Sequence, residues 1–195
     1  MTLFKINMIG DSAVGKTALL ERYLTKAFHS YYLPTIGADF ATFSTVVNGK
    51  IIKLQVWDLA GQPKWSSVRS IYYRGSIGAV LVYDITRDET YHNAGKWLEE
   101  LFSHTGKGPV PVVLLANKED LRREYPDALA EEKGLALTGE INGITSRKGF
   151  TCSFFETSAL TGQNVELAFK TLVGKILACM EVPESTGVKT EEAIA

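Results

Sequence analysis

The stretch GDSAVGKT, residues 10–17, joins an apolar run to a helical pattern, and it narrows the folds open to this chain. LFKINMIG reads as a buried strand that breaks at Gly10, and KTALLERYL, from Lys16 to about Leu24, reads as a helix. An ordinary turn needs no lysine and hydroxyl behind its second glycine. The spacing G-x-x-x-x-G-K-[ST], set between a strand and a helix, is that of a loop that cradles phosphates. Gly10 and Gly15 let backbone N–H groups turn inward. Asp11, Ser12, Ala13, Val14, Gly15, Lys16, Thr17 and Ala18 are then the candidate lining of an anion site, helped by the positive end of the helix dipole. Lys16 is expected to reach β- and γ-phosphates, and the Thr17 hydroxyl to bind Mg²⁺.

The rest of the chain suits that beginning. ADFATFSTVV and IIKLQVWD are strand-like runs joined by Asn48-Gly49, a strong hairpin signal. GAVLVYDI and VPVVLLAN are continuous apolar runs, as in strands buried on both faces. Between them Ala94, Trp97, Leu98, Leu101 and Phe102 share one helical face. A helix from about Asp127 to Thr138, the strand-like FTCSFFE and a last helix striped by Val165, Ala168, Phe169, Leu172 and Ile176 complete the pattern. The fold class expected is α/β: a mostly parallel six-stranded sheet, one antiparallel edge strand and helices on both faces. Ligands of such sheets bind at the carboxyl ends of the strands, where GDSAVGKT, DLAG, NKED and SAL all fall.

A phosphate loop names no base and no reaction. Asn117, Lys118 and Asp120 follow a buried strand. An ionised carboxylate only accepts hydrogen bonds, so Asp120 suits the N1–H and N2 amine of guanine, whereas adenine would face it with an acceptor. A P-loop kinase or ATPase acting on adenine nucleotides is the reading that NKED opposes. WDLAG supplies Asp58 at a strand end, where it can hold Mg²⁺ or simply cap a helix. The Gly61 N–H can sense a γ-phosphate, and Gln62, otherwise an exposed loop amide, can orient a water. Thr35 in YLPTIG is a second hydroxyl for the metal, with Pro34 restricting the loop.

Taken in order, GDSAVGKT, PTIG, DLAGQ, NKED and ETSAL resemble the motifs of the Ras-superfamily small GTPases, and the likeness covers roughly residues 1–180. IGADF, WDLAGQ, YYRG and LVYDIT are most similar to the Rab branch. The resemblance implies a P-loop NTPase fold and a GTP-binding switch that slowly hydrolyses GTP to GDP with Mg²⁺. Two nucleotide-sensitive loops are implied, about 30–40 and 60–74. Catalytic roles fall to Gln62 and Lys16, and metal ligation to Thr17, Thr35 and Asp58. Phe28 is implied to pack on the guanine ring and Tyr32 to cover the phosphates. Ser158, Ala159 and Leu160 are implied to line the base, and Phe40, Trp57 and Tyr72 to form an effector surface, although core packing is an equal reading for Trp57. Exchange factors, activating proteins and effectors are the implied partners of a monomer.

Several positions depart from that family. Pro63 stands where Rabs carry Glu, and it restricts Gln62 to extended conformations. A guanine-nucleotide-binding scaffold with negligible hydrolysis is therefore the alternative reading. Leu59 replaces Thr and is read as packing, and Leu160 replaces Lys at a contact made mainly by backbone. NGITSRKG, 142–149, is read as an inserted loop. No arginine lies between Ala27 and Gly37, so intrinsic hydrolysis is expected to be slow.

Charge is balanced, 21 Lys and Arg against 22 Asp and Glu, so no nucleic-acid partner is expected. Cys152 and Cys179 are read as buried thiols in a reducing compartment, and His29, His92 and His104 as surface or loop residues. No run is long enough for a signal or a membrane span, and the chain reads as cytoplasmic. It ends EEAIA, without the prenylated cysteines usual in Rabs. The tail from 181 to 195 reads as flexible, and attachment to membranes, directly or through partners, stays open.

Overall fold

A computed structural model describes residues 3–28 and 33–181. His29, Tyr32 and the tail beyond 181 lie outside the described residues, so the expectations placed on them are not addressed by the fold. The elements are β1 (Leu3–Ile9), α1 (Lys16–Thr25), β2 (Ala38–Val47), β3 (Lys50–Leu59), α2 (Ser66–Tyr73), β4 (Gly78–Asp84), α3 (Asp88–His92), α4 (Ala94–His104), β5 (Val112–Asn117), α5 (Glu131–Thr145), β6 (Ser153–Thr157) and α6 (Val165–Glu181). Among the described residues they form one six-stranded sheet in the order β2-β3-β1-β4-β5-β6. Every pairing is parallel except that of the edge strand β2 with β3.

The sequence pattern explains the layering. All residues of β4 and β5 are buried, so both faces of the central sheet need cover. One face packs Phe4, Ile6, Leu54, Val80 and Val113 against α1 and α6, through residues such as Leu19, Phe169 and Leu172. The other packs Ile9, Leu81, Tyr83, Leu114 and Ala116 against Tyr73, Trp97, Leu98, Leu101 and Ile141 of α2, α4 and α5. Leu59 belongs to this second layer and is fully buried, which fits its reading as packing. The β2–β3 hairpin turns at Asn48 and Gly49, with φ of 51° and 72°, the left-handed pair that a two-residue turn requires.

Four details correct the sequence reading. The helix expected from about 127 to 138 runs instead over Glu131–Thr145. The Leu129 N–H donates to the Ile85 carbonyl at 2.8 Å, which ties residue 129 to the end of β4 and delays the helix start. Stretch 142–149 is the end of α5 followed by a 3-10 turn, Ser146–Lys148, and Gly149 in the left-handed region, rather than a free loop. The Asn142 side chain accepts from the Cys152 N–H at 2.6 Å, so the segment is built into the start of β6. Cys152 is buried as expected, whereas Cys179, near the end of α6, is only half-buried. The region 60–74 contains a two-turn helix, α2, that its mixed composition did not announce. Among the described residues no helix is long and apolar enough to cross a membrane.

Candidate active site

β1 lies at the centre of the sheet, so the loop after it opens at the carboxyl edge where the connections diverge to either face. Gly15 has φ of 100°, and a Cβ there would lie 2.2 Å from the Asn117 amide nitrogen. The second motif glycine is therefore required twice, by conformation and by the close approach of β5. Around this loop a cavity of about 240 Å³ is lined by Ser12, Ala13, Lys16, Thr17, Gln62 and Thr35, among others.

Lys16 is the cation of that cavity and is only 6% exposed. Its ammonium donates to the carbonyls of Gly10 (2.7 Å) and Asp11 (2.8 Å). Burial pushes its pKa down to about 8 against the opposing pull of the Asp58 and Asp11 carboxylates. An anion entering the cavity meets a cation that water has largely abandoned.

At the far wall the Thr17 hydroxyl donates to Asp58 Oδ2 and lies 3.1 Å from the Thr35 hydroxyl, which donates to the same oxygen at 3.3 Å. The other oxygen, Asp58 Oδ1, is buried without a hydrogen-bond partner among the described residues. Burial raises the Asp58 pKa, while the Thr17 hydroxyl and Lys16 act to lower it. A buried carboxylate with a free oxygen beside two hydroxyls is an all-oxygen donor set, which fits a hard divalent cation such as Mg²⁺.

Gly61 sits against the phosphate loop: a Cβ on it would lie 2.3 Å from the Ser12 nitrogen and 2.4 Å from the Asp11 carbonyl carbon. Gln62 follows with φ −75° and ψ 141°, the extended conformation that Pro63 demands of its predecessor. Its side chain lines the cavity, and Gln62 Oε1 is buried without a partner among the described residues.

The base-side residues form a neighbouring cluster. Ser158 donates its hydroxyl to Asp120 Oδ1, which orients that carboxylate. The Asn117 amide donates to the Val14 carbonyl at 2.8 Å, so its side chain braces the phosphate loop from behind. Lys118, in the left-handed region with φ of 71°, sets its ammonium 2.6 Å from Asp84. Ala159 is buried, whereas Leu160 and Phe28 are exposed. Phe40, Trp57 and Tyr72 form a row, Phe40 stacked on Trp57 and Tyr72 tilted against it, with ring centroids 4.9 and 5.1 Å apart. Phe40 is exposed and Trp57 half-buried, so the trio is a surface row resting on the second core layer.

Several partners escaped the sequence reading. The fully buried Asp84, at the end of β4, would be raised by burial, but hydrogen bonds from Lys118 and Thr86 hold it below the usual carboxylate range. Arg87 pairs with Asp84 and donates to the Ser12 carbonyl at 2.8 Å. Arg22, on α1, donates to the carbonyls of Ala159 (2.7 Å) and Leu160. Asp11 accepts from Asn93 (2.8 Å) and Trp97 (2.7 Å), so its side chain faces α4 while its backbone lines the loop. Only the motif order around YDIT hinted at Asp84. Arg22 and Trp97 look like ordinary helix residues in a linear pattern.

A phosphate loop at the centre of a parallel sheet, a metal-competent acidic corner and an oriented carboxylate for a base define a P-loop nucleotide-binding protein. The pattern of the Ras family matches residues 5–178, and the chain belongs to that family. It is 46% identical over 174 residues to the Ras-related protein RABA5a of Arabidopsis thaliana, a match covering 89% of this chain and 73% of that protein. It is 45% identical over 174 residues to the Ras-related protein RABA2c of the same plant, covering 89% and 75%. Against the Ras-related protein YPT3 of Nicotiana plumbaginifolia it is 47% identical over 167 residues, covering 86% and 71%. These relatives put it in the Rab branch of the small GTPases, and it is a GTPase. The kinase and ATPase readings fall with that membership, and the non-hydrolysing scaffold is not favoured.

Proposed function

We propose that residues 1–180 form a GTP-operated switch in which Lys16 and Gln62 carry hydrolysis, Asp120 selects guanine, and residues about 30–40 and 60–74 report the nucleotide to protein partners. The observation that supports this reading best is a cavity lined by a desolvated lysine and a glutamine with an unpartnered oxygen, with the Asp58 carboxylate, one oxygen unpartnered, held behind the lining hydroxyls of Thr17 and Thr35. Each is costly to keep in an empty protein, and each matches a group of Mg²⁺–GTP and its attacking water.

Backbone N–H groups of residues 11–18 receive the phosphate oxygens, and Lys16 neutralises charge on the β- and γ-groups. Thr17, Thr35 and Asp58 are the residues that would hold Mg²⁺, which would supply positive charge against the phosphates. Gln62 accepts a hydrogen bond from a water and aims its oxygen at the γ-phosphorus. The new P–O bond forms as the bond to the β,γ-bridging oxygen breaks, leaving GDP and dihydrogen phosphate, which carries both of the water's protons, one on the attacking oxygen and one passed to a γ-oxygen. Gly61, resting on the phosphate loop, donates its N–H to the γ-phosphate. On the base side Asp120 takes the N1–H and N2 amine of guanine, Ala159 and Leu160 border the ring, and Phe28 packs on it. Mg²⁺ and GTP or GDP are the bound cofactor and nucleotide. Exchange factors and activating proteins act on the two loops, and effectors dock on Phe40, Trp57 and Tyr72. The protein acts as a cytoplasmic monomer.

Single-turnover phosphate release from GTP-loaded protein tests the assignment. The wild type is expected to be slow, for want of an arginine in residues 27–37, and Gln62→Leu about tenfold to 10²-fold slower. Equal rates would remove Gln62 from the reaction. Gly61→Ala is expected to be slower by about 10²-fold, because the added methyl displaces the loop that carries Gln62 from the phosphate loop. GDP affinity, measured by displacement of a fluorescent analogue, should change less than about threefold in that variant, since no γ-group is present.

A further inference from the structure

The loop carrying Gln62 has few backbone ties of its own, the Trp65 N–H to the Gln62 carbonyl at 3.1 Å and the Ala60 N–H to the Gly37 carbonyl at 2.9 Å, and neither joins it to α4. Arg69 of α2 has a side chain only 5% exposed. Its Nε donates to Glu100 Oε1 at 2.7 Å and its Nη2 to Glu100 Oε2 at 2.8 Å, a two-pronged ion pair with α4. The remaining nitrogen, Nη1, donates to the Gln62 carbonyl at 3.2 Å and the Ala60 carbonyl at 3.3 Å. The guanidinium also stacks on Trp97, 4.3 Å from the ring centroid, and the Tyr73 hydroxyl donates to Glu100 at 3.1 Å. Trp97 in turn holds Asp11 of the phosphate loop. One helix, α4, with the residue that caps it, therefore grips both walls of the cavity: the phosphate loop through the cap Asn93 and Trp97, and the water-bearing loop through Glu100 and Arg69.

We propose that Arg69 is a positioning residue for GTP hydrolysis, which fixes the backbone of Ala60–Gln62 against α4 so that the Gln62 amide meets the attacking water. The proposal rests on the assignment of Gln62 to the water. Pro63 fixes the conformation of Gln62, but nothing in a proline fixes where the extended segment lies relative to the phosphate loop. Arg69 supplies that, because a planar guanidinium with two prongs on Glu100 can aim its third nitrogen in only one direction. The same rigid geometry keeps its charge on the Gln62 carbonyl instead of extending it toward phosphates, so it does not act as an arginine finger.

The test is a double-mutant cycle in single-turnover GTP hydrolysis by the full chain: wild type, Arg69→Ala, Gln62→Leu and the double variant. Arg69→Ala is expected to slow hydrolysis about 10²-fold, with GDP affinity changed less than about threefold, and to cause no further slowing in the Gln62→Leu background. Arg69→Lys should stay slow, since a point charge cannot hold Glu100 with two prongs and reach two carbonyls. Should Arg69→Ala be poorly folded, Glu100→Gln enters the same cycle with an expected slowing of about tenfold. Equal slowing in both backgrounds, or full recovery in Arg69→Lys, would overturn the proposal, the first as general destabilisation and the second as a simple charge effect. Wild-type rates in Arg69→Ala beside a slow Gln62→Leu would sink the proposal alone. Wild-type rates in Gln62→Leu would sink the Gln62 assignment and this proposal together.

Discussion

Replacing Asp120 with asparagine is expected to lower GTP affinity about 10³-fold while raising affinity for xanthosine triphosphate. The carboxylate is turned by the Ser158 hydroxyl on Oδ1 and offers acceptors only. Guanine meets it with two donors, so two charge-assisted hydrogen bonds form. Asparagine presents one oxygen and one NH₂, which sets a donor against the N2 amine and leaves both groups unpaired. Each loss costs about 1.5–3 kcal/mol, and the two together give the stated factor. Xanthine carries a carbonyl in place of that amine, so it accepts from the asparagine NH₂ while its N1–H still finds the oxygen. Competition of the two nucleotides for the fluorescent-analogue site gives the readout. Unchanged preference for GTP would mean that Asp120 does not read the base. Arg22 provides a smaller, independent check: Arg22→Ala frees the carbonyls of Ala159 and Leu160 and should weaken GDP binding about tenfold.

Lys16→Met is expected to weaken GTP binding by about 10³-fold, and the wild-type affinity to fall with rising pH above about 8. In the nucleotide-free protein burial brings the Lys16 pKa down to about 8, from 10.5 in the unfolded chain. Between those values the unfolded chain binds more protons than the folded one. The nucleotide-free protein therefore gains stability as pH rises from about 8 to 10.5, by about 3 kcal/mol across that window. A phosphate against the ammonium raises its pKa again, so binding takes up a proton in the same window. Affinity then drops up to about tenfold per pH unit. Titration calorimetry at pH 7 to 9 in buffers of different ionisation enthalpy measures the uptake. Lys16→Met subtracts any proton released by the nucleotide itself. An uptake that persists in the variant would assign the proton to another group.

The linear sequence by itself determined the layers and the chemistry of the motifs. Strands fully buried on both faces must be apolar throughout, and helices packed on one side repeat every three to four residues, so composition and period carry the α/β order directly. The phosphate loop is legible because its glycines, lysine and hydroxyl fall within eight consecutive residues, and Asn48-Gly49 because a left-handed pair has few tolerant residues. The start of α5 was missed because a hydrogen bond from Leu129 to Ile85, 44 positions earlier, outweighs local helix preference. Stretch 142–149 was mistaken for a loop because the side-chain tie from Asn142 to the Cys152 backbone, ten positions on, leaves no mark in the local pattern. Only the tertiary structure decided what holds the site together. Asp11 on Trp97, Lys118 on Asp84, Arg22 on Ala159 and Arg69 on Glu100 join residues 31 to 137 positions apart. Charged side chains on helices read as solvated faces in one dimension, and a partner that desolvates and aims them exists only once the chain is folded.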